Sequence, residues 1–426
     1  MHLNFTKSFL IYKYILIISI SIFTSSCTYN NSVNNSETVN NNVINEVKEY
    51  FIDNKKIEIK ENFELQIWPQ KIAIIAPVSG KYSKIGRSLI NGIEMSIENL
   101  NKVGISIQTK IYDSGEQGLS IKKISNDINQ SDYDYVIGPI LKKNISTYSN
   151  ESSSNAKKLI LNKSEKINFN KNKFYFGLFP EDDIQCIIKG ILANNYQRGV
   201  MIYPKNRWGE RLLISFQDSF YQFDTYKKEI LEISYEKQKK EIDKKLKEIF
   251  HIEESYSKRK YIKSLLDINF NFVPHIRDDI DFIFSIGTSD DLKQIKPKLD
   301  FYYAENIPVF STSHIFSGVI NSQKDKDLND IVFCDIPWLF DKKNKRILKN
   351  LVLSDQRKNF LRFVALGMDS VNIYPFLDKL KEDQQKFIKL RTGKIYISTN
   401  GIIKRDLNYL KFKNGRPRLI NIIENE

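Results

Sequence analysis

Residues 71–86 read KIAIIAPVSGKYSKIG, and the order of residue types within them decides the fold: an apolar run, a small-residue loop, then a helical pattern. From Ile72 to Ala76 no polar residue alternates with the apolar ones, as expected of a strand covered on both faces by helices. Such a strand opens the first unit of a parallel α/β sheet. The loop at its C-terminal end is where these folds hold ligands.

Outward from this stretch the alternation of strand and helix continues. Leu89, Ile90, Ile93, Ile97 and Leu100 recur at helical spacing until NKVG at 101–104 stops the helix. Ile105, Ile107 and Ile111 read as a second strand ending at Asp113-Ser114-Gly115, residues 119–128 as a helix, and Tyr135-Val136-Ile137 as a third strand closed by Gly138-Pro139. This is β-α-β-α-β with right-handed crossovers. A second unit follows Phe174: a strand at 199–203 (GVMIY), a helix at 208–220, a strand at 281–286 (DFIFSI), a helix at 292–303, and a strand at 307–310 before Ser311-Thr312-Ser313. The chain then has a strand at 331–334, a helix through 360–380, and a hairpin in which Asn400-Gly401 reads as a two-residue turn. Residues 225–266 are charged, with Ile242, Leu246, Ile249, Ile262, Leu265 and Leu266 at helical intervals, and read as solvated helices rather than a binding arm. The expected fold class is α/β: two lobes, each a parallel-sheet sandwich, joined by several crossings. The first lobe is expected over 68–175 with a return over 311–340. The second covers 176–310 with the C-terminal segments, and a cleft between such lobes closes by hinge motion.

At 426 residues and 41% hydrophobic content the chain can bury a sizeable core. Its net charge of +14 is spread through loops and linkers, and no segment interleaves arginines with aromatics on one face, so nucleic acid is not an expected partner. His2, Lys7 and Lys13 give a basic start, residues 14–23 (YILIISISIF) a short apolar stretch, and Thr24-Ser25-Ser26-Cys27 a small-residue end. This reads as an export signal over 1–27, too short for a spanning helix of about twenty residues. It resembles a bacterial lipobox in which Thr24 stands in place of the usual leucine. On that resemblance Cys27 becomes a lipidated N-terminus, and Thr28 rather than aspartate after it directs the chain to the outer membrane. Residues 28–67 begin Asn- and Ser-rich and read as a flexible tether, whose later part can form a short helix or strand. Cys186 and Cys334 both sit in apolar stretches, and two buried free thiols are expected in preference to a disulfide.

The search for chemistry assembles no catalytic set. Ser79-Gly80-Lys81 is not a phosphate loop, because the required earlier glycine is Ile75, and Gly80 and Gly86 lack the close glycine partner of a dinucleotide site. His251, His275 and His314 have no second ligand at metal spacing, so neither metal nor cofactor is expected. Ser313-His314 lacks a strained nucleophile turn. Glu181-Asp182-Asp183, after Pro180, reads as a helix start favoured by the dipole, and Trp208 and Trp338 as packing residues. The candidate interlobe cleft is formed by Ser79, Gly80, Ser114, Gly138, Pro139, Ser311, Thr312 and Ser313, offering hydroxyls and backbone amides.

Several runs in a fixed order carry a more specific signal: IYDSG from Ile111, YVIGPILKKN from Tyr135, FGLFPEDD from Phe176, YPKNRWGERL from Tyr203, DLNDIVFCDIPWLF from Asp327, RFVALGMDS from Arg362 and TGKIYISTNGIIKRDL from Thr392. Together with PHIRDDIDFIF from Pro274, and above all Phe333-Cys334-Asp335-Ile336-Pro337-Trp338, they resemble the penicillin-binding protein activator family of LppC/LpoA type. The resemblance runs from about Lys71 to Pro417. It implies a periplasmic binding protein type I-like fold and a non-enzymatic outer-membrane lipoprotein, facing the periplasm, that activates a bifunctional class A penicillin-binding protein, a peptidoglycan synthase. Long members carry a helical-repeat domain before this module, whereas about forty residues separate Cys27 from Trp68 here, so a short form is expected. The alternative is a periplasmic solute-binding lipoprotein gripping an amino acid or small peptide between its lobes.

Overall fold

Residues 72–76 are covered on both faces, and the reason is visible in how they alternate. Ile72, Ile74 and Ala76 face one layer of the core, and Ala73 and Ile75 the other, all essentially inaccessible. Each buried isoleucine stabilises the fold by about 1.5–3 kcal/mol, which is why an unbroken apolar run is needed there. The computed structural model describes residues 57–58, 66–163, 171–222, 228–236, 241–266, 270–354 and 360–422. The leader, Cys27 and most of the expected tether lie outside the described residues.

In chain order the first lobe begins with β1 (Ile57–Glu58), β2 (Lys71–Ala76), α1 (Ser83–Asn101), β3 (Gln108–Asp113), α2 (Ile121–Asn129), β4 (Tyr135–Ile137), α3 (Lys142–Glu151), β5 (Lys157–Ile160) and β6 (Lys173–Tyr175). Strands β2 to β6 form an all-parallel sheet in the order β3-β2-β4-β5-β6. Ile111 is exposed because β3 is an edge strand that turns only Tyr112 inward, so the second strand starts later than the isoleucine pattern suggests.

The second lobe follows with α4 (Pro180–Ala193), β7 (Arg198–Pro204), α5 (Arg207–Tyr221), β8 (Glu229–Tyr235), α6 (Ile242–Ile249), α7 (Ile252–Leu266), β9 (Phe282–Ser285), α8 (Ser289–Phe301), β10 (Val309–Ser311) and β11 (Ile331–Asp335). Strand β8 lies inside the segment read as helical. As an edge strand it buries only Ile233 and Tyr235, and its remaining residues carry no burial pattern. Strands β7 to β11 run parallel.

The chain then returns to the first lobe, but not where expected. Residues 311–340 do not cross back, since β11 pairs with β10 in the second sheet. The returning segment is α9 (Lys345–Ser354), α10 (Leu361–Asn372), α11 (Leu377–Glu382), β12 (Lys386–Leu390), β13 (Gly393–Ile397) and β14 (Ile403–Asp406), of which α10 packs along α1. The expected helix over 360–380 is interrupted around Pro375, whose ring cannot continue it. Strand β1 pairs with β12, so the late part of the expected tether joins a four-stranded sheet β1-β12-β13-β14. The hairpin turn is longer than two residues: the Gly401 N–H donates to Ser398 O (2.8 Å), and the Ser398 N–H donates to Ile402 O (2.9 Å). Finally β15 (Asn408–Lys413) and β16 (Arg416–Leu419) add antiparallel to β11 and complete the seven-stranded sheet β16-β15-β11-β10-β9-β7-β8.

Cys186 and Cys334 are joined as a disulfide, not held as free thiols. Helix α4 packs across β11, and both cysteines face the core between them with Cα atoms 6.3 Å apart. Two apolar stretches far apart in sequence supplied no hint of that layer contact.

Candidate functional site

The chain passes between the lobes three times, after β6, after β11 and between β14 and β15. A charged pair marks each passage, largely buried at the first two and partly exposed at the third. Helix α4 starts at Pro180, and its first-turn acids do more than favour the dipole. Arg405 Nε of β14 donates to Asp182 Oδ2 (2.8 Å), and the backbone N–H and hydroxyl of Ser313 both donate to Asp183 Oδ2 (2.9 and 2.7 Å). Arg362 of α10 grips Asp335 at the end of β11 with Nε (2.8 Å) and Nη2 (2.5 Å), and Nη2 also reaches Ser313 O and Phe316 O. Lys189 of α4 donates to Asp406 (2.7 Å) at the third passage. Ser313 and Arg362 therefore link α4, the loop after β10 and the end of β11 to α10 of the first lobe.

Burial sets the electrostatics of these groups. It pushes the Asp182 carboxyl up to about 6, with the Arg405 guanidinium pulling the other way. It pushes Asp183 up to about 7 against the Ser313 hydroxyl. His314 is driven down to about 4, by burial first and then by the Arg362 and Arg211 charges, so its ring is neutral. That ring lies edge-on to Trp208 (5.2 Å between centroids) with Nδ1 3.2 Å from Thr312 Oγ1. Its contacts are those of a packed, neutral ring.

Beside the first passage lies a cleft of about 310 Å³ whose walls include Ile140, Leu161, Lys163, Glu181, Arg211 and Phe363. Glu181 meets Lys163 at 3.5 Å and Arg211 at 3.6 Å through Oε1, while its buried Oε2 has no hydrogen-bond partner. The pocket combines apolar walls with both signs of charge. That chemistry suits a small amphiphilic or zwitterionic molecule.

The residues singled out from sequence fall into two groups. Val78, Ser79 and Gly115 donate backbone N–H groups to Asp113 Oδ1, and the Ser79 hydroxyl accepts from Gln117 N–H (2.9 Å). Burial raises the Asp113 carboxyl, but the Ser79 hydroxyl and these amides outweigh it and hold the carboxyl below its ordinary value. Gly80 turns at this loop with φ +73°, and Ser114 is buried with an unpartnered hydroxyl. Gly138, before Pro139, has to be glycine, because a Cβ there would sit 2.2 Å from the Ile75 carbonyl oxygen. On the other lobe the Ser311 hydroxyl donates to Ser285 O (2.6 Å), while Thr312 and Ser313 serve His314 and Asp183. None of the eight is among the cleft-lining residues. Sequence reasoning missed Asp335, Arg362 and Arg405: the first two are signalled only by a lone charge in an apolar run, and Arg405, between Lys404 and Asp406, by nothing that sets it apart from a solvated strand.

Two layered sheets, three passages between them and a charged cleft beside the strand ends define a two-lobed protein of the periplasmic binding type. The chain belongs to the LppC putative lipoprotein family, whose model matches residues 54–415. It is 25% identical over 350 residues to "Penicillin-binding protein activator LpoA" of Vibrio antiquarius (strain Ex25), covering 80% of this chain and 57% of that protein. It therefore spans a little over half of that relative's length. Among solved structures it resembles the LpoA C-domain of Haemophilus influenzae, described as a regulator of PBP1A, with TM-score 0.64, 17% identity and coverage of 82% of this chain and 100% of that one. A putative branched-chain amino acid ABC transporter protein from Chromobacterium violaceum follows the same fold, with TM-score 0.55, 14% identity and coverage of 80% and 99%. These structural likenesses establish the two-lobed fold.

Proposed function

We propose that this chain is a non-enzymatic lipoprotein, held in the outer membrane by an acylated Cys27 and facing the periplasm, that activates a bifunctional class A penicillin-binding protein. The observation that carries this reading is the family match over residues 54–415, which takes in both lobes and all three passages. The Cys186–Cys334 disulfide supports an oxidising compartment, in keeping with an export signal. The junction supports a presenting surface: charged pairs of the protein's own occupy the passages and hold the lobes in one arrangement. Activation then follows from population shift, in which the lobes bind the active form of the synthase better than the inactive form.

The test is glycan polymerisation by the cognate synthase with and without the full chain in detergent. An increase that follows the stoichiometry of complex formation is the expected result, and an unchanged rate despite saturating chain would refute the reading. The cleft beside Glu181, Lys163 and Arg211 favours one second reading, capture of a small amphiphilic solute. A metabolite that raises the melting temperature while the synthase is unaffected would select it.

A further inference from the structure

The charged segment 225–266 contains apolar residues at helical spacing, and the structure leaves its last ones uncovered. In α7 only Ile252 and Ser255 are buried. Tyr261, Ile262, Leu265 and Leu266 form two i, i+4 pairs on one face and are 65%, 43%, 64% and 58% exposed, with Val273 beyond them also exposed. An isolated surface leucine needs no explanation, whereas a contiguous set of four large apolar side chains marks an interaction surface. The charges around it are of one sign. Residues 255–266 (SYSKRKYIKSLL) include Lys258, Arg259, Lys260 and Lys263 and no acid. The two acids of the first turn lie at the other end of the helix, Glu253 near Lys247 (3.6 Å) and Glu254 near His251 (3.4 Å). Arg259 lies over the Phe272 ring at 5.0 Å, which ties the helix to the neighbouring loop.

We propose that the C-terminal half of α7 docks the second lobe on an anionic phospholipid bilayer, with Tyr261, Ile262, Leu265 and Leu266 entering the headgroup boundary and the four cations meeting lipid phosphates. A helix lying in that boundary needs an apolar strip, a basic flank and an interfacial aromatic, and α7 has all three. The absence of acids over 255–266 sets the choice of occupant, because it matches a uniformly negative sheet of charge. The proposal is independent of the synthase reading, since it concerns a surface far in sequence from the passages.

The full chain with Leu265→Trp, and separately with Tyr261→Trp, is mixed with vesicles of equal parts phosphatidylglycerol and phosphatidylcholine carrying brominated acyl chains. The unsubstituted chain provides the background from Trp68, Trp208 and Trp338. We expect the added tryptophan to be quenched and blue-shifted on these vesicles and not on phosphatidylcholine alone. Changing Lys258, Arg259, Lys260 and Lys263 to Gln should lower the vesicle partition coefficient, read from quenching against lipid concentration, by about fivefold per charge removed. No quenching at either position, or equal quenching on uncharged vesicles that survives the four substitutions, overturns the proposal. So does crosslinking from position 265 to a second protein or a second copy without bilayer quenching. Both tryptophan probes replace exposed side chains, and unchanged thermal unfolding verifies that each variant is folded.

Discussion

The interior of the second lobe and the junction between the lobes are both buried, but they are held together by different physics. Around the second sheet Phe216 stacks on Phe284 with ring centroids 4.7 Å apart, with Phe220 and Phe282 beside them and no charge in that cluster. At the junction Asp182, Asp183, Asp335, Arg362 and Arg405 are all mostly withdrawn from water, and each is tolerable only because of a partner. Burial of apolar area is insensitive to pH and forgiving of shape, while a buried ion pair depends on both members. The junction is thus where a change of pH or the loss of one charged partner acts, while the lobe interior responds to lost volume.

The sharpest way to break this contrast is Arg362→Met, which leaves the buried Asp335 without its cationic partner and with only the Ile336 N–H as donor. We expect a loss of about 3–5 kcal/mol in urea unfolding, with much of it recovered in the double variant Arg362→Met/Asp335→Leu. If the double variant were as unstable as the single, the pair would be acting through packing instead. Phe284→Ala should cost a similar amount, about 3–5 kcal/mol, but with the same cost at every pH, as befits a lost apolar volume. Replacing both Cys186 and Cys334 by serine should cost about 2–4 kcal/mol, and the difference should vanish when the parent is unfolded under reducing conditions.

Asp183 sharpens the comparison by its pH dependence. Its ordinary value is 3.8 and its folded value about 7, so the folded state keeps a proton that the unfolded chain has released. Stability from this group is present below about 4 and lost as pH rises to about 7. His314 has the opposite sign: ordinarily 6.5 and about 4 in the fold, it contributes stability above 6.5 that is lost as pH falls to about 4. Asp183→Asn keeps an acceptor for Ser313 without the charge. Relative to the parent it should gain roughly 2–4 kcal/mol between about pH 4 and about pH 7, read as thermal unfolding across pH. A difference independent of pH would mean Asp183 does not titrate in this range. The smallest effect is expected on α7, where Tyr261→Ser or Leu265→Ser should change stability by no more than about 0.5 kcal/mol, since both are exposed.

Much of the fold was legible because strands buried on both faces leave an unbroken apolar run, as at residues 72–76, 199–203 and 281–286. The misses share a physical cause, which is partial burial. Strand β8 sits at a sheet edge, so EILEISY carries too little pattern to be told from the charged helices after it. Strand β11 is as apolar as any, but its sequence says only that it is buried, not in which sheet. The site was less legible. Ser79, Gly138 and Ser313 were singled out by their small residue types, yet the hydroxyls of Ser79 and Ser313 answer to Asp113 and Asp183 within the protein. Arg362 and Arg405 looked like ordinary arginines.

By itself the sequence determined the class of fold, the order of its units and the family to which the chain belongs, because periodicity and motif order are properties of the linear chain. Only the tertiary structure decided that residues 345–406 rather than 311–340 return to the first lobe, that Cys186 meets Cys334, and that Asp182 and Asp335 are answered by Arg405 and Arg362. Those are contacts between residues distant in sequence. Their partners are chosen by how helices and sheets pack in space, and no local pattern of residues encodes that choice.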